Sequence, residues 1–349
     1  MTDITTTLAV IGIDLGDKDA HYACLNEEGK FTEEGTFAMT PSGVRKHFAK
    51  IPRSRIAIEA GAQSRWIAKS LGEFGHEVIV ANPRQVQLIS ANYSKNDSND
   101  AKILAKLARV DASLLSPLQH RSEKEQTALL SIRARAQLVK TRVALMHSLR
   151  GMVKGFGIRL PHASSDQFCQ RCKGSVPEEL LPQLEGIFTI IQSLTQQIDN
   201  YDERIEKIAA EHYPVVQGLR TVPGVGTLTA LTFVLTIADP GRFLKSRAVG
   251  AFLGLRPRQQ QSGGHNPQLG ITKAGDIYLR KLLVQSAHCL LGTYGQDTAL
   301  KQWGLKLCQR GGSNAKKRAV VAVARKLAVL LHKLWVSGDL YRPFPANQN

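Results

Sequence analysis

The first 110 residues carry a strand pattern that few folds can accept. Residues 7–14 are a short apolar run closed by Gly16, which reads as a buried strand. Residues 21–25 and 30–37 follow, joined across the turn Asn26-Glu27-Glu28-Gly29, and make an antiparallel meander with the first strand. Pro41 and Ser42 open a short helix through Phe48, and residues 55–59 form a fourth strand. A helical stretch from Gln63 to Phe74 leads to a fifth strand at 78–80, closed by Asn82-Pro83. The pattern is then helical past Asp97 and Asp100 to Val110.

Three antiparallel strands followed by strand–helix–strand–helix is the element order of an α/β ribonuclease-H-like fold. In that fold the first and fourth strands are parallel neighbours, so Asp14 and Glu59 project at one end of the sheet. Asp97 and Asp100, three apart, share one face of a helical turn. Four carboxylates from three elements suit two divalent ions, one activating an attacking oxygen and the other neutralising the leaving one. Oxygen donors without converging histidines favour Mg2+, with Mn2+ as the alternative. The competing account is structural, since Asp100 also stabilises a helix start. Lys95, beside the pair, is a candidate contact to substrate phosphate.

Composition points to the partner. The 349 residues carry a formal charge of +17, which favours a polyanion through counterion release. A ribosomal protein or a binder of anionic membranes would share that balance. The N-terminus lacks the features of a signal peptide, and no uncharged apolar run reaches the roughly 20 residues that span a bilayer. Residues 319–335 come nearest, interrupted by Arg325, Lys326 and Lys333. A cytoplasmic protein without a membrane partner is expected. Five cysteines make no disulfide scaffold, and Cys169/Cys172 lack a second pair at zinc spacing, so they read as incidental thiols.

Three parts are expected: a metal-dependent catalytic domain over 1–117, a basic helix and coiled-coil connector over 118–212, and a mainly helical domain over 213–340. Residues 121–159 hold nine Lys/Arg against two acids, which places one helix face in phosphate. Leu184, Ile187, Ile191, Leu194, Ile198, Tyr201, Ile205 and Ile208 repeat at three-four spacing, a seam for the preceding helix or for another subunit. Glycines 151, 155 and 157 mark the end of the basic helix, and 160–177 reads as loop. Val222-Pro223-Gly224-Val225-Gly226 resembles a helix-hairpin-helix turn, with Gly224 and Gly226 letting helix-start amides meet phosphate. Residues 256–270 form a polar loop containing Ser262-Gly263-Gly264, and Asp276 caps the next helix. Lys316, Lys317 and Arg318 begin the last helix, unfavourably for its dipole unless phosphate neutralises them.

The motifs Ile13-Asp14-Leu15-Gly16, Ile56-Ala57-Ile58-Glu59-Ala60 and Lys95-Asn96-Asp97-Ser98-Asn99-Asp100-Ala101 resemble the Asp-Glu-Asp-Asp domain of the one-hundred-and-ten family of insertion-sequence transposases. That family is related to the Piv DNA invertase, and its first domain to the RuvC resolvase. Phe252-Leu253-Gly254-Leu255, Ser262-Gly263-Gly264, Leu269 to Asp276 and Leu279-Arg280 extend the resemblance over nearly the whole chain. The compact length and coiled-coil insert point to the eleven-eleven subgroup. The resemblance implies that Ser262 attacks DNA and forms a phosphoserine link, with the carboxylates supplying metal. The isolated motif does not choose between Ser262 and Thr272. Arg256, Arg258, Lys273 and Arg280 are candidate clamps on the scissile phosphate. It further implies donor and target DNA, a non-coding guide RNA and a homo-oligomer, dimer or tetramer. A junction-resolvase-like metal nuclease and a non-catalytic nucleic-acid binder are the alternatives.

Overall fold

The computed structural model describes residues 9–83, 97–260 and 269–344, the Asp97 side chain excepted. Two compact units divide the chain, 1–120 and 121–349.

In the first unit β1 (Val10–Asp14), β2 (Asp19–Leu25), β3 (Phe31–Ala38), β4 (Arg55–Glu59) and β5 (Glu77–Ala81) form one sheet in the order β3-β2-β1-β4-β5. The β1–β2 and β2–β3 pairs are antiparallel, whereas β4 runs parallel to β1 and β5 parallel to β4. Ile11, Ile13, Ile56 and Ile58 pack on one face with Val44 and Phe48 of α1 (Pro41–Phe48) and Ile67 and Leu71 of α2 (Ser64–Glu73). Val10 and Ala57 join Leu104, Ala105 and Ala108 of α3 (Asp97–Val110) on the other. Cover on both faces explains why β1 and β4 read as unbroken apolar runs. Thr40 starts α1, its Oγ1 accepting from the Gly43 amide at 3.1 Å.

The second unit is helical. Its α4 (Glu123–Lys154) and α6 (Leu181–His212) are 32 residues each. They run antiparallel, since Arg135 meets Asp202 and Arg142 meets Thr195. The three-four repeat faces α4 of the same chain: Leu184, Ile191, Ile198 and Ile205 are buried, and Ile187, Leu194, Tyr201 and Ile208 half-buried. Ser122 and Glu125 close a capping box at the start of α4. Its end differs from expectation, because the helix continues through Gly151 to Lys154. One internal glycine costs about 1 kcal/mol, and buried Leu149 and Val153 hold the final turns against a core under the arm tip. That core also contains α5 (Phe168–Lys173), in a stretch expected to be loop. Only Phe168 and Cys172 of α5 are buried, too few to give a readable period.

The remaining helices are α7 (Val215–Leu219), α8 (Thr227–Ile237), α9 (Arg247–Phe252), α10 (Ile277–Leu291), α11 (Ala299–Cys308) and α12 (Ala315–Ser337). They share one core with the inner ends of α4 and α6, through Leu129, Ile132 and Ile205. Its centre is α8, with ten of eleven residues buried. Trp303 and Trp335 anchor against this core and Trp66 against that of the first unit. No helix among the described residues is long and apolar enough to cross a membrane. The Cys169 and Cys172 thiols are pushed up by burial, and donate to the Phe188 and Pro161 carbonyls.

Candidate active site

The carboxylate site is built on β1 and β4. Their parallel register pairs Gly12 with Ala57 and Ile13 with Ile58, so Asp14 and Glu59 come next, side by side at the strand ends. Neighbouring strands lie about 4.8 Å apart. By the period of two, both carboxylates share the face of Gly12 and Ala57, which α3 covers. The helix is seated against Gly12: a Cβ there would lie 1.9 Å from the Ala101 carbonyl oxygen. Its far end is tied to the strand starts, where Arg55 donates to the Ala108 carbonyl. The turn carrying Asp97 and Asp100 therefore overlies the ends of β1 and β4. Lys102 holds that turn to β3 through Glu34 at 2.9 Å. Asp14, Glu59 and Asp100 are all half-buried.

Among the described residues, no three His, Cys, Asp or Glu side chains close into a metal cage. The Asp97 side chain and Lys95 lie outside the described residues. The donor chemistry of the site is nonetheless uniform. Asp14, Glu59 and Asp100 offer hard oxygens only, which fit Mg2+ or Mn2+ and suit zinc poorly. The loop leaving Asp14 is pinned by Gln63, whose amide donates to the carbonyls of Gly16 and Asp17 at 3.3 and 3.1 Å. Gly12 and Gln63 position the site, and sequence reasoning passed over both. The available signal was a glycine inside an apolar strand, which marks close backbone approach.

In the second unit, Ser262, Gly263, Gly264 and His265 lie outside the described residues. What flanks them is ordered by a short ladder. Pro257 and Ile271 form an antiparallel bridge, with Arg258 N to Gly270 O and Thr272 N to Arg256 O both at 2.9 Å. The bases of the loop are thus drawn together, carrying exposed Arg256, Arg258 and Lys273. Arg256 donates to the Gln259 side chain. Gly254 and Gly275 both take positive φ, 68° and 71°, and a Cβ at Gly254 would sit 2.2 Å from the Ala274 amide nitrogen. Asp276 caps α10, accepting from Leu279 N at 2.7 Å.

Arg280, expected among the phosphate clamps, stands apart from the exposed Arg256, Arg258 and Lys273. It is buried, and its Nη1 donates to the carbonyls of Leu253 at 3.2 Å and of Ala274, Gly275 and Asp276. Those contacts make it the post on which the 274–276 turn is hung. Gly224, at φ 79°, lets the turn before α8 rest on α10, since a Cβ would come 2.8 Å from Ser286 O. Gly226 caps α8 in an extended conformation, and both glycines are exposed. Lys316, Lys317 and Arg318 are exposed on the first turn of α12, which holds no acid.

Comparison with known proteins finds similarity to transposases over both units. Residues 11–158 match a family model described as "Transposase", and residues 216–303 one described as "Transposase IS116/IS110/IS902 family". The transposase for insertion sequence element IS1111A of Coxiella burnetii is 30% identical over 96% of this chain and 92% of its own length. The transposase for IS1328 of Yersinia enterocolitica is 29% identical over 96% and 98%. A pilin gene-inverting protein of Moraxella lacunata is 24% identical over 92% and 93%.

Proposed function

The chain belongs to the IS110 family of transposases, and from that membership and the pairing of Asp14 with Glu59 we propose how its two units divide a DNA strand exchange. It is a DNA transposase acting in DNA recombination. The first unit is read as a ribonuclease-H-like, RuvC-like catalytic domain, a reading supported by the sheet order β3-β2-β1-β4-β5 with its antiparallel and parallel halves. The helical arm is a coiled-coil connector, and the helices after it present the serine.

Asp14, Glu59, Asp97 and Asp100 are the proposed holders of Mg2+ or Mn2+. Such an ion, when bound, stabilises charge on an attacked phosphate and on the oxygens around it. The Ser262 hydroxyl is the proposed nucleophile. Its oxygen bonds to phosphorus as one P–O ester bond of the strand breaks; the serine loses its proton and the departing sugar oxygen gains one. The product remains a phosphodiester, so the hydroxyl of another strand can reverse the step and complete the exchange. Arg256, Arg258 and Lys273, at the roots of the loop, neutralise the phosphate being cut. Helix-start amides beside Gly224 and Gly226, and the basic turn of α12, hold backbone without reading sequence. A non-coding guide RNA supplies sequence choice, and several copies of the chain hold the two duplexes. The relative named as a pilin gene-inverting protein supports inversion as well as insertion as an outcome of the same chemistry.

The observation that carries this reading is the register that sets Asp14 beside Glu59 under the first turn of α3. The test incubates the protein with Mg2+, element-end DNA and the adjoining non-coding RNA, and looks on a denaturing gel for a protein–DNA adduct. An adduct lost in Ser262→Ala, in Asp14→Asn and without RNA is expected. Cleaved ends without adduct, unchanged in Ser262→Ala, would replace this mechanism with a metal nuclease.

A further inference from the structure

One face of α4 is a row built for a polyanion. Arg133, Lys140, His147 and Lys154 recur every seven residues, with Gln137, Ala144 and Gly151 between them at three-four spacing. All seven are exposed. That spacing keeps them on one line of the helix. At 1.5 Å per residue the row runs about 32 Å, the length of roughly nine base pairs. The acids of α4, Glu123 and Glu125, both lie in its first turn, before the row begins.

Other arginines of α4 are engaged inside the unit. Arg135 forks onto Asp202, and Arg142 is buried against Asp166 and Thr195 at 3.0 and 3.1 Å. Arg150 donates to the carbonyls of Leu160 and Pro161 at 2.8 and 2.7 Å and stacks 5.1 Å above Phe168. Among the described residues, no member of the outward row is in an ion pair. The partner helix has the opposite character: Glu185, Asp199, Asp202, Glu203, Glu206 and Glu211 outnumber Arg204 and Lys207. The arm is therefore two-faced in charge. A surface serving only solubility intersperses both signs.

The row ends in a cavity of about 480 Å³ whose wall includes His147, Arg150, Lys154 and Arg159 and no acidic residue. Arg150 is already fixed there by its two carbonyls, so its charge is pre-ordered. Gly151 keeps the wall low, with nothing within 4 Å of where its Cβ would stand. Small side chains between the basic ones, at Ala144 and Gly151, let a backbone approach closely.

We propose that this face of α4 is a track for the phosphodiester backbone of duplex DNA, the partner a transposase must hold, with the tip cavity receiving a phosphate at its end. The proposal rests on the nucleic-acid reading of the family and is independent of the chemistry at Ser262. The test uses the full chain in metal-free buffer, with fluorescent duplex DNA and an RNA hairpin of equal stem length, over a salt series. The combined Arg133→Gln, Lys140→Gln and Lys154→Gln variant keeps good helix formers. For three lost phosphate contacts, the slope of log affinity against log salt should fall by about 2–3, and low-salt affinity by about tenfold or more. Glu203→Gln on α6 should leave the slope unchanged. The loss is expected on the DNA duplex, and a loss on the RNA hairpin alone would overturn the DNA track. If the triple variant loses helicity, Lys154→Gln with Arg159→Gln at the tip carries the test, with a slope change of about 2. Wild-type slope and affinity for both helices would overturn the proposal. Binding in metal-free buffer needs no adduct, so this idea and the strand-exchange reading fail separately.

Discussion

Gly12 shows how a residue without a side chain sets where a helix packs. Its hydrogen occupies the space in which a methyl group would strike the Ala101 carbonyl at 1.9 Å and the Ala105 nitrogen at 2.5 Å. Gly12→Ala must push α3 off β1, carrying the Asp97–Asp100 turn away from Asp14 and Glu59. Overpacking of this kind costs roughly 1–3 kcal/mol, and contact with rigid backbone argues for the upper end. The expected outcome is a lower urea midpoint together with a loss of strand cleavage larger than the unfolded fraction explains. A variant with unchanged midpoint and full activity would show that the helix is not held by this contact. The same residue marks a limit of sequence reasoning. Asp14 and Glu59 were legible because carboxylates closing apolar strands stand out. Gly12 was not, since its importance lies in a helix packed across it nearly ninety positions later. The carbonyl partners of Arg280 were hidden for a related reason: they are set by the fold of the 253 and 274–276 turns, which no local pattern states.

At the scale of elements, strands and caps were readable and helix ends less so. Unbroken apolar runs located β1 and β4, where burial on both faces leaves few alternatives, and turn residues located the other three strands within a few residues. Cap chemistry did the same at Asp276, while Gly151 was overridden by the packing of Leu149 and Val153. Strand β2 also carries a pH dependence that follows from its packing. Burial, reinforced by the Glu33 carboxylate, pushes the Cys24 thiol from 9.0 up to about 11. Burial, with a 2.6 Å hydrogen bond to Glu33, also raises the Tyr22 phenol above its ordinary 10.0. In both, the folded state keeps a proton that the unfolded chain releases. Their stabilisation is complete below the unfolded pKa of about 9 and declines as pH rises towards 11. The first unit should therefore lose urea resistance between pH 8 and 10.5, followed by Trp66 fluorescence in a Trp303→Phe, Trp335→Phe background. Cys24→Ala should flatten the lower part of that slope; a flat wild-type profile would contradict the buried state of β2.

Over the whole molecule, the cores follow the division into two units. The apolar clusters of the first unit draw on residues before His120, and those of the second on residues after Arg121. Among the described residues, each cluster is drawn from one unit alone, as in a domain with its own core. The arm belongs with the helices that follow it, since Ala128, Leu129 and Ile132 of α4 and Ile205 and Ala209 of α6 are buried with α8, α10 and α12. A cut after Tyr213 would therefore expose apolar surface of this shared core. Expressed separately, residues 1–120 and 121–349 should each unfold in one cooperative calorimetric transition, whereas a fragment beginning at 214 should aggregate or melt without cooperativity. The chemistry should divide differently from the stability. The carboxylates lie in one fragment, and Ser262 with the basic rows of α4 and α12 in the other. The larger fragment should keep salt-dependent nucleic-acid binding, and neither alone should form an adduct. A larger fragment that forms the adduct unaided would remove the carboxylates from the strand-exchange step and leave them a separate task.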